Sequence, residues 1–158
     1  VVELTILLAR EMIDAAGIVG TDPAVALKDG SAMDHWRRMI SAQGGDPDAK
    51  LPVALEQHVV TAENSGTMTT MDAMKVGLSA WRLGAGRSKQ GENVQAGAGI
   101  EMHAKPGDVI AAGAPLFTLH TDEPERFARA LEILDGAVDI VEGGTVNRLP
   151  LVIERIVG

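Results

Sequence analysis

The hydrophobic period of the chain changes near residue 50, and that change limits the fold more than any other feature. Before it, Leu4, Leu7, Leu8 and Met12 recur at helical spacing while Glu3, Arg10 and Asp14 occupy other faces, and Gly17 supplies a left-handed stop. Asp22-Pro23 pairs an N-cap with a proline at the first helical position, opening a short helix that runs to Asp29-Gly30. Ser31 with Asp34 resembles a weak capping box; Met33, Trp36 and Ile40 then share a face until Gly44-Gly45. After the change, His58 to Ala62 and Thr67 to Met71 read as strands around a Ser65-Gly66 turn.

Asp72 is predicted to cap a helix with Met74, Leu78 and Trp81 on one side, ending at Gly84-Ala85-Gly86-Arg87. Residues 91–122 are glycine-punctuated β structure, with turns expected at Lys105-Pro106-Gly107-Asp108 and Ala112-Gly113. Pro115 to His120 is a strand in which Leu116 and Leu119 cannot share a face by strict alternation, leaving two-sided burial or a bulge. Pro124 opens a further helix carrying Phe127, Leu131 and Leu134, and Leu151 to Val157 is apolar enough for a strand buried on both faces. Between the two regimes, Asp46 to Pro52 holds two prolines and two aspartates and reads as a linker. The expected organisation is a helical segment over 1–45, a linker over 46–54 and an α/β module over 55–158, an α+β chain overall.

Composition narrows the function classes. With 46% hydrophobic residues over 158 positions the chain can fill one ordinary core. Its net charge of −8 argues against a protein that tracks a nucleic-acid backbone. The absence of cysteine removes disulfides, thiolate metal sites and cysteine nucleophiles. Glu3, Arg10, Glu11 and Asp14 interrupt the opening segment, so neither a signal peptide nor a membrane span is expected there, and a cytoplasmic protein is the default. The chain enters a helical pattern almost at once, without an initiating Met or a cap residue, as a fragment of a longer protein would.

Three motifs invite chemical readings. Ala73-Met74-Lys75 is the core of a biotin-attachment hairpin, and the run from Pro106 to Leu116 resembles the P-G-D-x-V-x-x-G-x-x-L run of biotinyl and lipoyl carriers. In those carriers the P-G-D run precedes the lysine, whereas here it follows by about thirty residues, so Lys75 is read as a helix residue and the run as a carrier-like β scaffold. A biotinyl- or lipoyl-like carrier or binding module stays the alternative reading. Gly84-Ala85-Gly86-Arg87 offers backbone N–H groups and a guanidinium to a phosphate, but the glycines end a helix where a helix-start phosphate site needs them ahead of one. Gly84, Gly86 and Arg87 are therefore assigned to a cap and tight turn, and Gly107, Asp108 and Gly113 to turns. No two of His35, His58, His103 and His120 have metal-site spacing, although His103 and His120 fall in adjacent predicted strands that could bring them together. No serine sits in a nucleophile elbow, and the Asp122-Glu123 and Asp46/Asp48 pairs read as loop and cap residues. No catalytic, substrate-binding or metal residue is assigned to this chain.

The ordered set of segments nevertheless resembles the carboxy-terminal part of the thymidine and pyrimidine-nucleoside phosphorylases. The resemblance runs through residues 2–12, through Asp29-Gly30-Ser31-Ala32 with Met39, Ala42, Gln43, Gly44, Gly45 and Asp46, and through Leu51-Pro52. It continues in Gly66, Leu83-Gly84-Ala85-Gly86-Arg87, Val94, Gly97, Gly99-Ile100, Gly107-Asp108-Val109, Gly113 and Leu116. It implies a β-hammerhead or barrel-sandwich-like sheet in the second module. It also implies a parent enzyme, homodimeric, that splits a pyrimidine nucleoside with inorganic phosphate as co-substrate, giving free base and a pentose 1-phosphate. An AMP phosphorylase carries a related carboxy-terminal module. The family's phosphate loop, K-H-S-T-G-G-V-G-D, and its base-binding R-x-x-x-S-I-x-x-K segment do not occur in this sequence, where the only Ser-Lys pair is Ser88-Lys89. The chain is expected to be inactive alone, to bind no cofactor, nucleic acid or membrane, and to have as its partner the missing amino-terminal part of the same enzyme.

Overall fold

The computed structural model describes residues 1–87, 89–147 and 149–156. The chain is α+β, with five α-helices and two small antiparallel sheets among the described residues. It falls into two compact units, one made of residues 1–50 with 149–158, the other of residues 51–148.

The first unit holds α1 (Val2–Ala15), α2 (Pro23–Asp29) and α3 (Ser31–Ala42). Asp22 caps α2 as its sequence predicts, its carboxylate accepting the Ala24 N–H at 3.1 Å, and Gly30 closes it in the left-handed region. The capping box at Ser31 does not form. Asp29, two residues back, accepts the Ser31 N–H at 2.9 Å across the left-handed Gly30 at the N-cap position. Hydrogen bonding from Ala24 and then Arg10 holds the Asp22 carboxyl below its ordinary range. None of the three helices contains a buried residue.

Residues 151–156 form no strand, which corrects the expectation for the chain's end; Val157 lies outside the described residues. Their unit is helical and offers no strand edge to pair with, and Ile153 and Ile156 remain exposed. Arg155 instead forms an ion pair with Glu11 at 2.7 Å.

Among the described residues, the buried hydrophobic ones lie in the second unit. Its strands are β1 (Glu56–Thr61), β2 (Gly66–Met71), β3 (Gly99–Met102), β4 (Val109–Ile110), β5 (Pro115–Thr121) and β6 (Val138–Val141). They form two three-stranded sheets, β1-β5-β3 and β4-β2-β6, every neighbour antiparallel, and neither sheet closes on itself. The Leu116/Leu119 ambiguity resolves as two-sided burial: β5 is a central strand, and Leu116, Phe117, Thr118 and Leu119 in succession are all buried. A bulge is present as well: Val60 faces Phe117 and Thr61 faces Pro115, so that Leu116 is the extra residue of β5. A second bulge lies in β2, where Met68 faces Ile140 and Thr70 faces Asp139, with Thr69 the extra residue.

Two helices lean on this pair of sheets. Helix α4 (Ala73–Ala80) starts at Asp72, which accepts the N–H groups of both Met74 and Lys75, and α5 is Arg126–Leu134. The buried Ser79 hydroxyl donates to the Ala130 carbonyl at 2.9 Å, tying α4 to α5. Met68, Leu83, Phe117, Leu119, Ala130 and Leu134 form the centre of the core. Gly97 marks a close chain crossing: a Cβ there would lie 2.5 Å from the Ala54 nitrogen, so no other residue fits without moving backbone.

Candidate functional site

The most distinctive local structure is the end of α4. There the helix widens into a single π-type turn over Trp81–Ala85, and the chain leaves through Gly84, whose φ of +109° lies in the left-handed region. Gly84 and Gly86 lie at the end of this helix with Arg87 after them, and the next regular element among the described residues is a strand. The tryptophan indole N–H donates to the Arg87 carbonyl at 3.0 Å, closing the turn on itself. The Arg82 guanidinium stacks 4.4 Å from the Trp81 ring centroid.

The carbonyls of this turn are accepted one by one. Gly84 O receives the Gln95 N–H at 3.0 Å, and Arg82 O receives Nη1 of Arg126 at 3.4 Å. Leu83 O and Gln95 Oε1 share the proton of the buried Thr121 hydroxyl, at 2.8 and 3.0 Å. Gln95 Oε1 also accepts the Asp122 N–H at 2.8 Å, and its amide nitrogen donates to Glu123 Oε1 at 2.6 Å. Glu123 in turn pairs with Arg126, Nε to Oε2 at 2.8 Å. Hydrogen bonding from Arg126 is the main reason the Glu123 carboxyl is held below its ordinary range and the Arg126 guanidinium above its own.

The second set of sequence-assigned turn residues sets the register of β2 and β4. Gly107 N–H donates to Met68 O at 2.8 Å, while the Asp108 carboxylate accepts the Lys105 N–H at 2.8 Å. Gly113 N–H donates to Ala62 O at 2.7 Å. These residues belong to turns flanking β4 and are not part of the Trp81–Arg87 turn.

Several candidate groups have structural partners. Lys75 lies in the first turn of α4, and its ammonium donates to the Asp135 carbonyl at 2.7 Å. His103 and His120 do not meet: His103 Nε2 lies 2.7 Å from the Thr118 hydroxyl, whereas His120 faces Gly99 and approaches Glu101 at 3.9 Å. Asp122 accepts the Leu55 N–H, and Asp46 accepts the Asp48 N–H in a local turn. Among the described residues no three His, Asp or Glu side chains gather as a metal site would need, and no helix is long and apolar enough to cross a membrane.

Several hollows open on the second unit: one beside β4, about 570 Å³, has His103 and Asp108 in its lining and no lysine or arginine, and two others differ in charge. One, about 490 Å³, is lined by Trp81, Arg82, Arg126 and Arg129 together with Glu92, Glu123 and Glu125, so its three cations are matched by three carboxylates. The other, about 650 Å³, has apolar walls that include Phe117 and Ile140, with Glu63, Asp135 and Asp139 and no lysine or arginine. Neither concentrates positive charge as a phosphate site must. Sequence reading passes over Gln95, the residue that ties the turn to β5 and α5; its only signal is a lone amide within a glycine-rich stretch.

The second unit is thus an α+β module whose distinctive turn spends its polar groups on internal contacts. Residues 67–141 match the pyrimidine nucleoside phosphorylase C-terminal domain. The chain is 53% identical over 157 residues to the thymidine phosphorylase of Mycobacterium tuberculosis, a match covering 99% of this chain and 36% of that protein. It is 31% identical over 151 residues to the AMP phosphorylase of Thermococcus kodakarensis (90% of this chain, 29% of that protein). It is 36% identical over 115 residues to human thymidine phosphorylase (66% and 24%). The chain belongs to the thymidine and pyrimidine-nucleoside phosphorylase family, of which it carries the C-terminal domain. It spans about a third of the length of the curated relatives it matches most strongly.

Proposed function

We propose that the intact protein of which this chain forms part is a pentosyltransferase that converts thymidine, or another pyrimidine nucleoside, and phosphate into the free base and a (deoxy)ribose 1-phosphate. The observation that carries the reading is the 53% identity to a thymidine phosphorylase along 99% of the chain. Within that enzyme these residues serve as scaffold and as a module of the domain that moves when the cleft closes, and they are inactive alone. Two features support this division of labour. The hollows of the second unit are electrically balanced or acidic, and no buried side-chain nitrogen or oxygen among the described residues lacks a partner, so little polar chemistry is held in reserve.

The two open sheets, pinned by the Gly107-Asp108 and Gly113 turns, serve as a barrel-sandwich-like scaffold related to biotinyl and lipoyl carriers, with no prosthetic group on Lys75. The parent enzyme is a cytoplasmic homodimer of nucleoside salvage that needs no cofactor beyond phosphate as co-substrate. Incubating the isolated chain with thymidine and phosphate, with thymine release followed by chromatography, tests the reading. No thymine is expected from the chain alone, and turnover is expected once it is joined to the remainder of a full-length relative. Thymine release by the isolated chain would overturn the scaffold assignment, and a joined protein that folds but cleaves no pyrimidine nucleoside would overturn the reaction.

A further inference from the structure

The three helices of the first unit have apolar side chains and no interior. Leu4, Leu8 and Met12 follow one another at four-residue intervals along α1 and are 37%, 57% and 73% exposed. Met33, Trp36 and Met39 do the same at three-residue intervals along α3, at 54%, 43% and 48%. Half-buried Ile6, Leu7, Ile13 and Ile40 mark the limited contact the helices make with one another. Helices of 14, 7 and 12 residues are too short to persist in water on propensity alone, since isolated helices below roughly 12–15 residues are marginal. An amphipathic helix is stabilised by covering its apolar stripe, and these stripes stay exposed among the described residues of the first unit.

We propose that the Leu4/Leu8/Met12 stripe of α1 and the Met33/Trp36/Met39 stripe of α3 are packing surfaces for the remaining part of a full-length phosphorylase polypeptide. The inference rests on the reading of this chain as part of a longer phosphorylase, and it is independent of which nucleoside that enzyme cleaves. The length of the relatives argues for this occupant: the match to the M. tuberculosis enzyme leaves roughly two thirds of that protein unspanned, yet takes in nearly the whole of this chain, helices included. A segment of the same polypeptide is present at one copy per chain and at high effective concentration, so it outcompetes a second molecule for the same apolar surface. The chemistry is that of amphipathic helices: aliphatic, methionine and tryptophan side chains alternate along the sequence with charged ones such as Arg10, Asp34, Arg37 and Arg38, as at an interface with an apolar centre and a polar rim.

The test is to co-express this full chain with a tagged polypeptide made of the M. tuberculosis thymidine phosphorylase residues that it does not match. Co-purification is measured, and thymidine phosphorolysis is assayed separately. A one-to-one complex is expected, weakened at least tenfold by Leu8→Glu combined with Trp36→Glu and unchanged by Val109→Glu, an exposed apolar residue of the second unit. Far-UV circular dichroism of each variant alone separates lost docking from lost folding. If the variant loses helix content, the milder pair Leu8→Gln and Trp36→Gln replaces it, with a loss of at least threefold expected. A complex indifferent to either pair overturns the proposal, as does a dimer of this chain alone that the same substitutions abolish, because a second copy would then be the occupant. A complex that forms as expected but releases no thymine leaves the packing surface standing and removes the reaction.

Discussion

Thr121 and Gln95 meet inside the strand unit, where the threonine hydroxyl lies 3.0 Å from Oε1 of the amide and 2.8 Å from the Leu83 carbonyl. This one contact joins the last residue of a central strand to the loop that follows the π-type turn. Replacing Gln95 by Ala leaves the Asp122 N–H short of an acceptor and removes the amide donor to Glu123, while the Thr121 hydroxyl keeps the Leu83 carbonyl. The expected loss is about 1–3 kcal/mol of unfolding free energy, read from urea denaturation with an unchanged m-value. A loss under about 0.5 kcal/mol, the scatter of ordinary surface changes, would show that the amide is dispensable.

Gly84→Ala places a methyl group 2.8 Å from Cδ of Gln95 in a residue whose φ is +109°. The backbone conformation alone predicts a destabilisation of about 1–3 kcal/mol. Part of the effect belongs to the clash, so Gly84→Ala and Gln95→Ala together are expected to destabilise less than the sum of the two alone. A double-mutant cycle by thermal melting measures this, and strict additivity would refute the contact.

The Glu123–Arg126 pair sets a pH dependence with a definite sign. Because the folded-state pKa of Glu123 is lowered, chiefly by its hydrogen bond from Arg126, the pair's stabilisation is complete above the ordinary carboxylate range. It is lost as pH falls through the folded value. The raised pKa of Arg126 keeps the guanidinium charged throughout that window. Urea midpoints of the parent chain and of Glu123→Gln are expected to differ at pH 7 and to converge near pH 3; a gap that widens in acid contradicts the assignment.

Leu119 is wholly buried in the central strand β5. Leu119→Ala is expected to destabilise the second unit by about 2–5 kcal/mol in chemical denaturation, the range for a leucine truncated in a packed core. A change below 1 kcal/mol would mean that this site relaxes around the truncation far more freely than such cores do.

Lys75 donates to Asp135 O, and its assigned role is to link the start of α4 to the end of α5. Expression with a biotin ligase should leave the intact mass unchanged, and Lys75→Met should lower stability by about 0.5–1.5 kcal/mol, the worth of one hydrogen bond. A mass gain of one biotinyl group would restore the carrier reading.

Much of this was legible along the chain because it depends on neighbours in sequence. The Asp22 and Asp72 caps, the helix end at Gly84 and the turns at Gly107 and Gly113 are local events, in which a carboxylate reaches an N–H two or three residues on or a glycine takes a positive φ. The strands 58–62, 67–71 and 115–120 fall within a residue or two of β1, β2 and β5 for the same reason, since turn residues punctuate them. Ser31 failed as a cap because Gly30 decided the local geometry, and residues 151–156 failed as a strand because a strand needs an edge to pair with, which composition cannot report.

The order of segments from Val2 to Leu116 was enough to determine the family, because a long ordered set of motifs survives without knowledge of any contact. Tertiary structure alone decided that β5 is buried on both faces, that Gln95 connects the π-type turn to Thr121 and Glu123, and that α1 and α3 carry uncovered apolar stripes. Each of these depends on how residues far apart along the chain pack, or do not pack, against one another. Periodicity marks which face of an element is apolar, but only the packed structure shows what covers it.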